Sequence, residues 1–233
     1  MKTRYFLIVV LCILSIAVAR TQDKDGRSSF IADSYDVQEI SADDLLNWDL
    51  YGHGRITRSG QQIYLGETEG SLGVMLTSPK KYGNEVVVSY DVMTLQGAGV
   101  LVAMMSLQNE PSGGLSLDSE FVGSLSVIRE SAKFYMIAFR DAPHNRFPFI
   151  NRYPDNGNNP LVEAETWYMH PGIYYHIDVG VEKDRIWLAI NGEKIIETTD
   201  SDPLGEGHFS FRIRGTAGEL GSCLIRNVKI YTK

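Results

Sequence analysis

The last part of the chain alternates between strand-like runs and turn residues. Residues 174–199 read YYHIDVGVEKDRIWLAINGEKIIETT, in which polar and apolar side chains alternate and Asn191-Gly192 forms a turn signal. GHFSFRIRG (207–215) and SCLIRNVKIYT (222–232) follow with the same alternation. Short strands joined by turn residues, without a helical period between them, pack as antiparallel sheets. The pattern therefore predicts an all-β sandwich.

The N-terminus has the features of an export signal. Lys2 and Arg4 precede an apolar run over residues 6–18, which ends in small residues at Ala19. This arrangement predicts a signal peptide over residues 1–19, and its apolar run is too short for a good membrane anchor. We therefore expect a secreted or periplasmic protein that has no membrane association after cleavage.

Charge and cysteine content narrow the class of protein. Loss of the signal peptide removes Lys2 and Arg4 and leaves 20 basic against 29 acidic side chains. An acidic surface disfavours nucleic acid and anionic membranes as partners. Cys223 is the single cysteine of the mature sequence, so no internal disulfide is expected, and about 210 residues suffice to build a stable core. We expect a monomer.

The chain shows no internal repeat and no linker after its polar N-terminal part. We expect residues 20–40 to form a polar segment and residues 41–233 a single sandwich domain. NEVVVSYDVMTL (84–95) and GVLVAMMSL (99–107) have the dense β-branched and apolar content of central strands. SLSVIRES (124–131) is expected to add another strand.

One short helical turn at most is predicted, after Ser41, where a capping residue precedes Leu45. The segment 141–172 breaks the strand rhythm, because it is long and rich in Pro, Asn and Gly. It is expected to be a loop with little regular structure, and long loops in compact domains are often functional.

Candidate ligand-binding residues follow from the alternation of side chains along the strands. Arg212 and Arg214 fall opposite the apolar residues of their strand, and Arg140 and His176 do the same on theirs. Residues 129–152 are locally basic in an acidic chain and are followed by aromatic residues, which suits an anionic, ring-shaped ligand such as a uronate. The same arginines could equally pair with the protein's own carboxylates. The predicted substrate-binding residues are Arg140, Arg146, Arg152, Trp167, Tyr168, His176, Arg212 and Arg214.

Candidates for proton transfer lie in the same part of the chain. His144 and His170 are candidates because histidine is a common general acid or base, and Tyr153 could serve as an acid or base in a β-elimination. Glu163 and Glu165 lie just before Trp167, but they do not have the carboxylate spacing of the glucanases of this fold. A hydrolase, a lyase and a binding protein all remain open.

No cofactor motif is present, and no metal site is predicted. Asp155, Asn156, Asn158 and Asn159 supply oxygen ligands that calcium could use, but the run lacks a complete ligand spacing. A simple turn is the favoured interpretation of these residues.

The order of sequence blocks resembles one family. NWDLYGHGRI, VVVSYDVMTLQGAGVLVAMMS, YMIAFRDAPHNRFPFINR and the closing NGEKIIETTD, HFSFRIR and IRNVKIY, from about Asn47 to Tyr231, are similar to the YesU-like domains. The resemblance implies a concanavalin A-like jelly roll, the superfamily of many lectins and glucanases. Such domains accompany machinery that degrades pectic and other acidic polysaccharides, although their biochemical role is not settled. FINRYPDNGNN replaces a basic stretch of that family, and only Arg152 can stand for it.

The expected function is an exported protein that binds or degrades a polysaccharide, preferring an acidic glycan in a concave groove. An enzyme of this kind would be a glycoside hydrolase or a polysaccharide lyase. The alternative is a non-catalytic glycan-binding or structural interaction module.

Overall fold

The computed structural model describes residues 28–141, 144, 146–154, 159–166 and 169–233. Residues Ser34–Lys233 form one compact unit. Of the residues before it, 28–33 are described and contain a turn in which Ile31 N–H donates to Ser28 O. The predicted signal peptide lies outside the described residues.

Fifteen strands and two short helices are present in the described residues. The strands are β1 Asp36–Ile40, β2 Asp49–Tyr51, β3 Gly54–Ser59, β4 Gln62–Glu67, β5 Val74–Tyr82, β6 Glu85–Thr94, β7 Gly99–Gln108, β8 Lys133–Arg140, β9 Phe149–Tyr153, β10 Val162–Glu163, β11 Tyr175–Glu182, β12 Arg185–Ile190, β13 Glu193–Thr199, β14 Gly207–Gly215 and β15 Ser222–Thr232. The helices are α1 Ala42–Leu45 and α2 Leu125–Ser131.

The strands form two antiparallel sheets. The eight-stranded sheet has the order β13-β12-β11-β6-β15-β4-β3, with β1 paired to the second half of β15. The seven-stranded sheet has the order β10-β9-β8-β7-β14-β5-β2. Sequence neighbours are often separated within a sheet, as in a jelly roll, because the chain crosses between the two layers. The all-β sandwich expected from the sequence is confirmed.

The main core lies between the sheets and contains the apolar positions that alternation predicted. Phe209, Phe211 and Ile213 of β14 point into it. Trp48 stacks on Phe211 with ring centroids 5.7 Å apart, and Tyr90 meets Phe211 edge-on at 4.8 Å. These aromatic contacts join the two sheets, and they confirm that Arg212 and Arg214 share the opposite face of β14.

A second apolar cluster covers the outer face of the seven-stranded sheet, which is the face turned away from the other sheet. It contains side chains of β5, β7, β8 and β9 together with Ile128 of α2, and Leu115, Phe121 and Leu125 pack against it. Residues 109–131, which we call the covering segment, therefore lie over this face. This explains why β7 is apolar on both faces rather than alternating.

Residues 124–131 form α2, so the strand expected there is wrong, as is the limit of one helical turn. Ile128 is fully buried, whereas Val127 and Glu130 are exposed. Leu125 and Ile128 are three residues apart and share one helix face, which packs on the sheet. Tertiary packing of this short apolar stripe overrides the β-branched composition. The predicted turn at Ser41 is confirmed: Ser41 caps α1, and its Oγ accepts a hydrogen bond from Asp44 N–H.

A stack of three glycines fixes the covering segment to the sheet. Gly52, Gly73 and Gly123 have φ values of +88°, +130° and +88°. A Cβ on Gly123 would lie 1.6 Å from Gly73 O, and a Cβ on Gly52 would lie 2.3 Å from the same oxygen. Only glycine permits this conformation and this close backbone approach. The stack brings residues 122–124 down onto the sheet.

The segment 141–172 is more regular than expected. Its residues Phe149–Tyr153 form β9, which pairs with β8, and Val162–Glu163 form the edge strand β10. The Pro- and Asn-rich composition hid a five-residue strand in which Ile150 packs in the main core and Phe149 and Tyr153 pack in the second apolar cluster. Among the described residues, no helix is long and apolar enough to cross a membrane.

Candidate functional site

A row of directly paired residues crosses the outer face of the seven-stranded sheet. The row is Met75, Arg212, Val102, Ala138 and Phe149. Adjacent strands lie about 4.8 Å apart, so Arg212 and Phe149 stand about 14 Å from each other across three strand spacings. Val102 and Ala138 have small side chains, whereas Arg212 and Phe149 on either side of them have large ones. Two residues further along β14, on the same face, Arg214 pairs with Val100.

Arg212 is held beneath the covering segment. Its side chain is 3% exposed and donates to Leu72 O and Gly123 O, each at 3.0 Å. Burial lowers the pKa of Arg212 to about 10, with Arg214 adding to the effect and Glu67 opposing it, so the group stays charged at neutral pH. Arg214 donates to Leu72 O at 2.6 Å and is half-buried. Both arginines thus hold loops in place.

Two buried polar atoms of the outer face lack partners among the described residues. One is the donor Nε of Arg212, and the other is the acceptor Oδ1 of Asn151. Buried polar groups are normally satisfied by protein or water. These two atoms therefore offer a donor and an acceptor to a bound water or ligand.

Arg140 does not lie with Arg212. A register shift in β8 opposes Arg140 to the core residue Leu101, so the simple alternation used for the sequence no longer applies. Its guanidinium donates to Met169 O at 3.2 Å, to Gly97 O at 2.6 Å and to Gly99 O. Burial lowers the pKa of Arg140, against the opposing influence of Asp141. Arg140 therefore links three backbone carbonyls at the end of the sandwich.

A partly exposed cluster lies beside the row, at the turn between β8 and β9. We call Asp141, His144, Arg146, Phe149 and Glu163 the rim cluster. Asp141 forms an isolated bridge with Arg146, and its Oδ1 lies 2.6 Å from His144 Nδ1. The Arg146 guanidinium lies 3.9 Å from the centre of the Phe149 ring and contacts Glu163 at 3.3 Å. The side chains of Arg146 and Glu163 are each 35% exposed.

Arg152 faces the other side of β9. It pairs with the core residue Tyr135, and its Nε lies 2.7 Å from Asp200 Oδ2. Tyr135 donates to the same oxygen at 2.7 Å. Burial would raise the pKa of Asp200, but hydrogen bonds from Asp202 N–H, Tyr135 and Arg152 hold it below its usual value. Arg152 therefore pairs with the protein's own carboxylate, as one of the two interpretations of the sequence expected.

The candidate proton-transfer residues are separated. Tyr153 is 2% exposed, and its hydroxyl accepts a hydrogen bond from Asn151 Nδ2 at 2.9 Å. Tyr153 lies four positions along β9 from Phe149 of the rim cluster, a distance of about 13 Å. His170 is exposed, and its backbone N–H donates to the Tyr175 hydroxyl.

His176 belongs to a different surface, the outer face of the eight-stranded sheet. Its Nδ1 lies 2.8 Å from Asp91 Oδ1, and its Nε2 lies 3.1 Å from Ser89 Oγ and 3.4 Å from Asp178 Oδ1. Burial opposes its charge, but Asp178 and Asp91 raise the pKa of His176 to about 9. Sequence reasoning missed Ser89 and Asp91, although two polar residues at a spacing of two within an apolar strand were a visible signal.

The Ser89–His176–Asp91 chain has the connectivity of a hydrolytic triad, yet its electrostatics differ. A triad histidine must be neutral to take a proton from serine. Here the imidazole is held protonated between two carboxylates, and Ser89 is 4% exposed. The arrangement links β6 and β11 through an ion pair and a hydrogen bond.

Some predicted residues lie outside the described part of the chain. They are Trp167, Tyr168 and the candidate calcium ligands Asp155, Asn156 and Asn158, and their roles stay predictions. Within the described ranges, no group of three or more His, Cys, Asp or Glu side chains is arranged to hold a metal ion.

Comparison with known proteins identifies the fold. No protein-family model matches the chain, and no curated protein matches it. The chain has the concanavalin A-like jelly-roll fold, and its structure is similar to a Bacillus subtilis protein of unknown function with a galectin-like fold. That similarity has a TM-score of 0.70 at 15% identity and covers 85% of this chain and 98% of the other.

Two further solved structures share the fold. A carbohydrate-binding module from Bacillus subtilis matches with a TM-score of 0.52 at 14% identity, over 83% of this chain and 94% of that one. A native glycosidic hydrolase matches with a TM-score of 0.54 at 12% identity, over 86% and 96% of the two chains. Identities this low establish the shared architecture alone.

Proposed function

We propose that this chain is an exported carbohydrate-binding domain that holds an acidic, uronate-containing glycan at the rim cluster. The observation that carries the proposal is the Arg146 guanidinium, which lies 3.9 Å from the Phe149 ring centre and is 35% exposed. A guanidinium has five N–H donors, and the contact with Glu163 uses one of its nitrogens. Its planar fork suits bidentate pairing with a carboxylate.

Arg214 extends the same surface. It pairs with Val100 on β7, while Asp141 at the end of β8 bridges to Arg146. Arg214 and Arg146 therefore lie at the same end of the sheet, about 14 Å apart across three strand spacings. Two cations at this separation suit a short oligosaccharide that carries more than one carboxylate.

The present partner of Arg146 is replaceable. Its contact with Glu163 is 3.3 Å long, and both side chains are partly exposed. Exposed ion pairs of this kind contribute about 0–1 kcal/mol. A uronate carboxylate could displace Glu163 at small cost.

Binding is favoured over catalysis. His144 and Tyr153 are far apart, the Tyr153 hydroxyl is buried against Asn151, and His176 is held protonated on the other sheet. General acid–base chemistry needs the two groups within hydrogen-bond reach of one substrate position. A glycoside hydrolase or polysaccharide lyase remains the second candidate, because Glu163 and Glu165 adjoin the proposed site and one of the similar structures is a glycosidic hydrolase.

Other features agree with this proposal. One of the similar structures is a carbohydrate-binding module, which supports a carbohydrate partner. The apolar run before Ala19 supports export, and the order of sequence blocks supports kinship with the YesU-like domains. We also propose that the mature protein is a monomer.

Calorimetric titration of the mature protein with oligogalacturonate and with a neutral oligosaccharide of equal length tests the proposal. Arg146→Ala should weaken oligogalacturonate binding about 10- to 100-fold, the loss expected for a charge-assisted bidentate contact. Arg58→Ala is the matched control, because Arg58 is also exposed and paired to one carboxylate, Asp43. Equal affinity of both proteins, or no preference for the acidic glycan, would refute the assignment.

Mass spectrometry of the same mixtures separates a binding domain from an enzyme. Intact glycan is the expected result. Fragments that have gained water would indicate a hydrolase, and fragments that sum to the mass of the substrate would indicate a lyase.

A further inference from the structure

A cavity of about 480 Å³ lies within the covering segment, outside the rim cluster. Its walls come from the loop over residues 109–124 and from the exposed side of α2. Pockets of several hundred Å³ with a mostly apolar lining and a few polar groups are typical small-molecule sites. Neither the proton-transfer candidates nor the arginines contribute to it.

The walls of the cavity combine apolar side chains with carboxylates. The exposed or half-exposed apolar groups of the lining are Leu117, Phe121, Val122 and Val127, and Asp118 and Glu120 supply the charge. Among the described residues, the lining contains no lysine, arginine or histidine. The rim cluster differs in that it contains a cation, Arg146, besides its carboxylates Asp141 and Glu163.

The acceptors in the cavity are available to a ligand. Asp118 Oδ1 accepts from Glu120 N–H at 2.8 Å, and no other contact of the two carboxylates is found among the described residues. The side chain of Asn109 is occupied, because it both donates to Ser116 O and accepts from Ser116 N–H. The free groups are therefore hydrogen-bond acceptors that carry negative charge.

The cavity is fixed before any ligand arrives. Val122 O accepts from Leu72 N–H at 2.8 Å, Arg212 donates to Gly123 O, and the glycine stack holds the same turn. Ile128 anchors α2 in the second apolar cluster. A preorganised site binds its ligand with little entropy cost, because its walls are already ordered.

We infer that this cavity is a second sugar site and that it takes an uncharged pyranose. Hydroxyl groups of the sugar would donate to Asp118 and Glu120 in charge-assisted hydrogen bonds, while an apolar ring face packs on Phe121. A uronate is excluded, because its carboxylate would meet two like charges without a cation. The inference rests on the proposed function only in that both sites take a carbohydrate.

Leu72 links Arg214 to the wall of the cavity. Leu72 O accepts from Arg214, and Leu72 N–H donates to Val122 O.

Backbone amide NMR of the mature protein tests the inference with glucose, galactose, galacturonate and glucosamine as separate probes. The neutral sugars should shift amide signals over residues 109–131, and galacturonate should shift those near residues 146–149. The double variant Asp118→Ala/Glu120→Ala should lose at least about tenfold in affinity for the neutral sugars, because two charge-assisted hydrogen bonds are removed. Both side chains are exposed, so the fold should persist.

Glu130→Ala is the matched control, since Glu130 is exposed on α2 and does not line the cavity. Phe121→Ala should also weaken neutral-sugar binding, whereas Arg146→Ala should leave it unchanged. The inference fails if neutral sugars do not shift the covering segment, if the double variant binds like the wild type, or if only glucosamine binds. If galacturonate shifts no signals while the neutral sugars still shift the covering segment, the rim cluster site is refuted and the cavity site is supported.

Discussion

The imidazole Nδ1 of His176 lies 2.8 Å from Asp91 Oδ1 and joins β11 to β6 on the outer face of the eight-stranded sheet. Arg226 and Asn227 of β15 contact the other oxygen of Asp91, and Asp178 lies 3.4 Å from the opposite side of the ring. Two carboxylates thus face one imidazolium and one guanidinium. The local charge is balanced only while His176 is protonated.

Stability should fall at alkaline pH because of this network. The pKa of His176 is raised from 6.5 to about 9, so its contribution is fully present below about pH 6.5 and is lost as the pH rises through 9. We expect a loss of about 2 kcal/mol in the free energy of unfolding, allowing for solvent screening. Urea unfolding of the wild type and of His176→Gln at pH 6 and pH 9.5 measures it. Parallel pH dependence of the two proteins would contradict the assignment.

Gly123→Ala should release the covering segment. The added Cβ would lie 1.6 Å from Gly73 O, a backbone atom that cannot move aside cheaply. We expect a loss of about 3 kcal/mol or more and faster proteolytic cleavage within residues 109–124. Gly60→Ala is the control, since Gly60 also has a positive φ, of +65°, but no atom within 4 Å of its Cβ position. If the two substitutions lowered the free energy of unfolding equally, the cause would be the positive φ and not the close backbone approach.

Glu67→Ala should destabilise the turn between β14 and β15. Glu67 is 6% exposed, and its Oε2 accepts from the backbone N–H groups of Gly215 and Gly221, the latter at 2.7 Å. Removing it leaves two buried donors unpaired, at a cost of about 2–4 kcal/mol. Thermal unfolding against Glu69→Ala, a change at an exposed neighbour, is the measurement. A difference below about 0.5 kcal/mol would indicate that water replaces the carboxylate.

Cys223 should be inert in the folded protein. It is 2% exposed, and burial raises the pKa of its thiol to about 12. The thiolate is the reactive form, so labelling by iodoacetamide at pH 8 should be slow until denaturant is added. Because Cys223 is the single cysteine among the described residues, its labelling rate also reports global unfolding. Rapid labelling without denaturant would mean that β15 opens locally.

Local alternation predicted much of the sandwich but not the departures from it. Arg212 and Arg214 share the face that the sequence assigned to them, because β14 is regular over those residues. The register shift in β8 moves Arg140 to the end of the sandwich. No local sequence pattern predicts such a bulge, because its position depends on how the partner strand is paired.

The sequence by itself determined the strands, the turns and the division of side chains between core and surface, because these follow from short-range alternation and turn chemistry. Only the tertiary structure decided which polar residues meet. Ser89 and Asp91 reach His176 through the register of β6 against β11, and Arg146 reaches Phe149 and Glu163 through the edge pairing of β9 and β10. The covering segment and its cavity likewise depend on the packing of Gly123 against Gly73, residues far apart in the chain. Long-range register and backbone packing are collective properties of the folded sheets, and no local stretch of sequence encodes them.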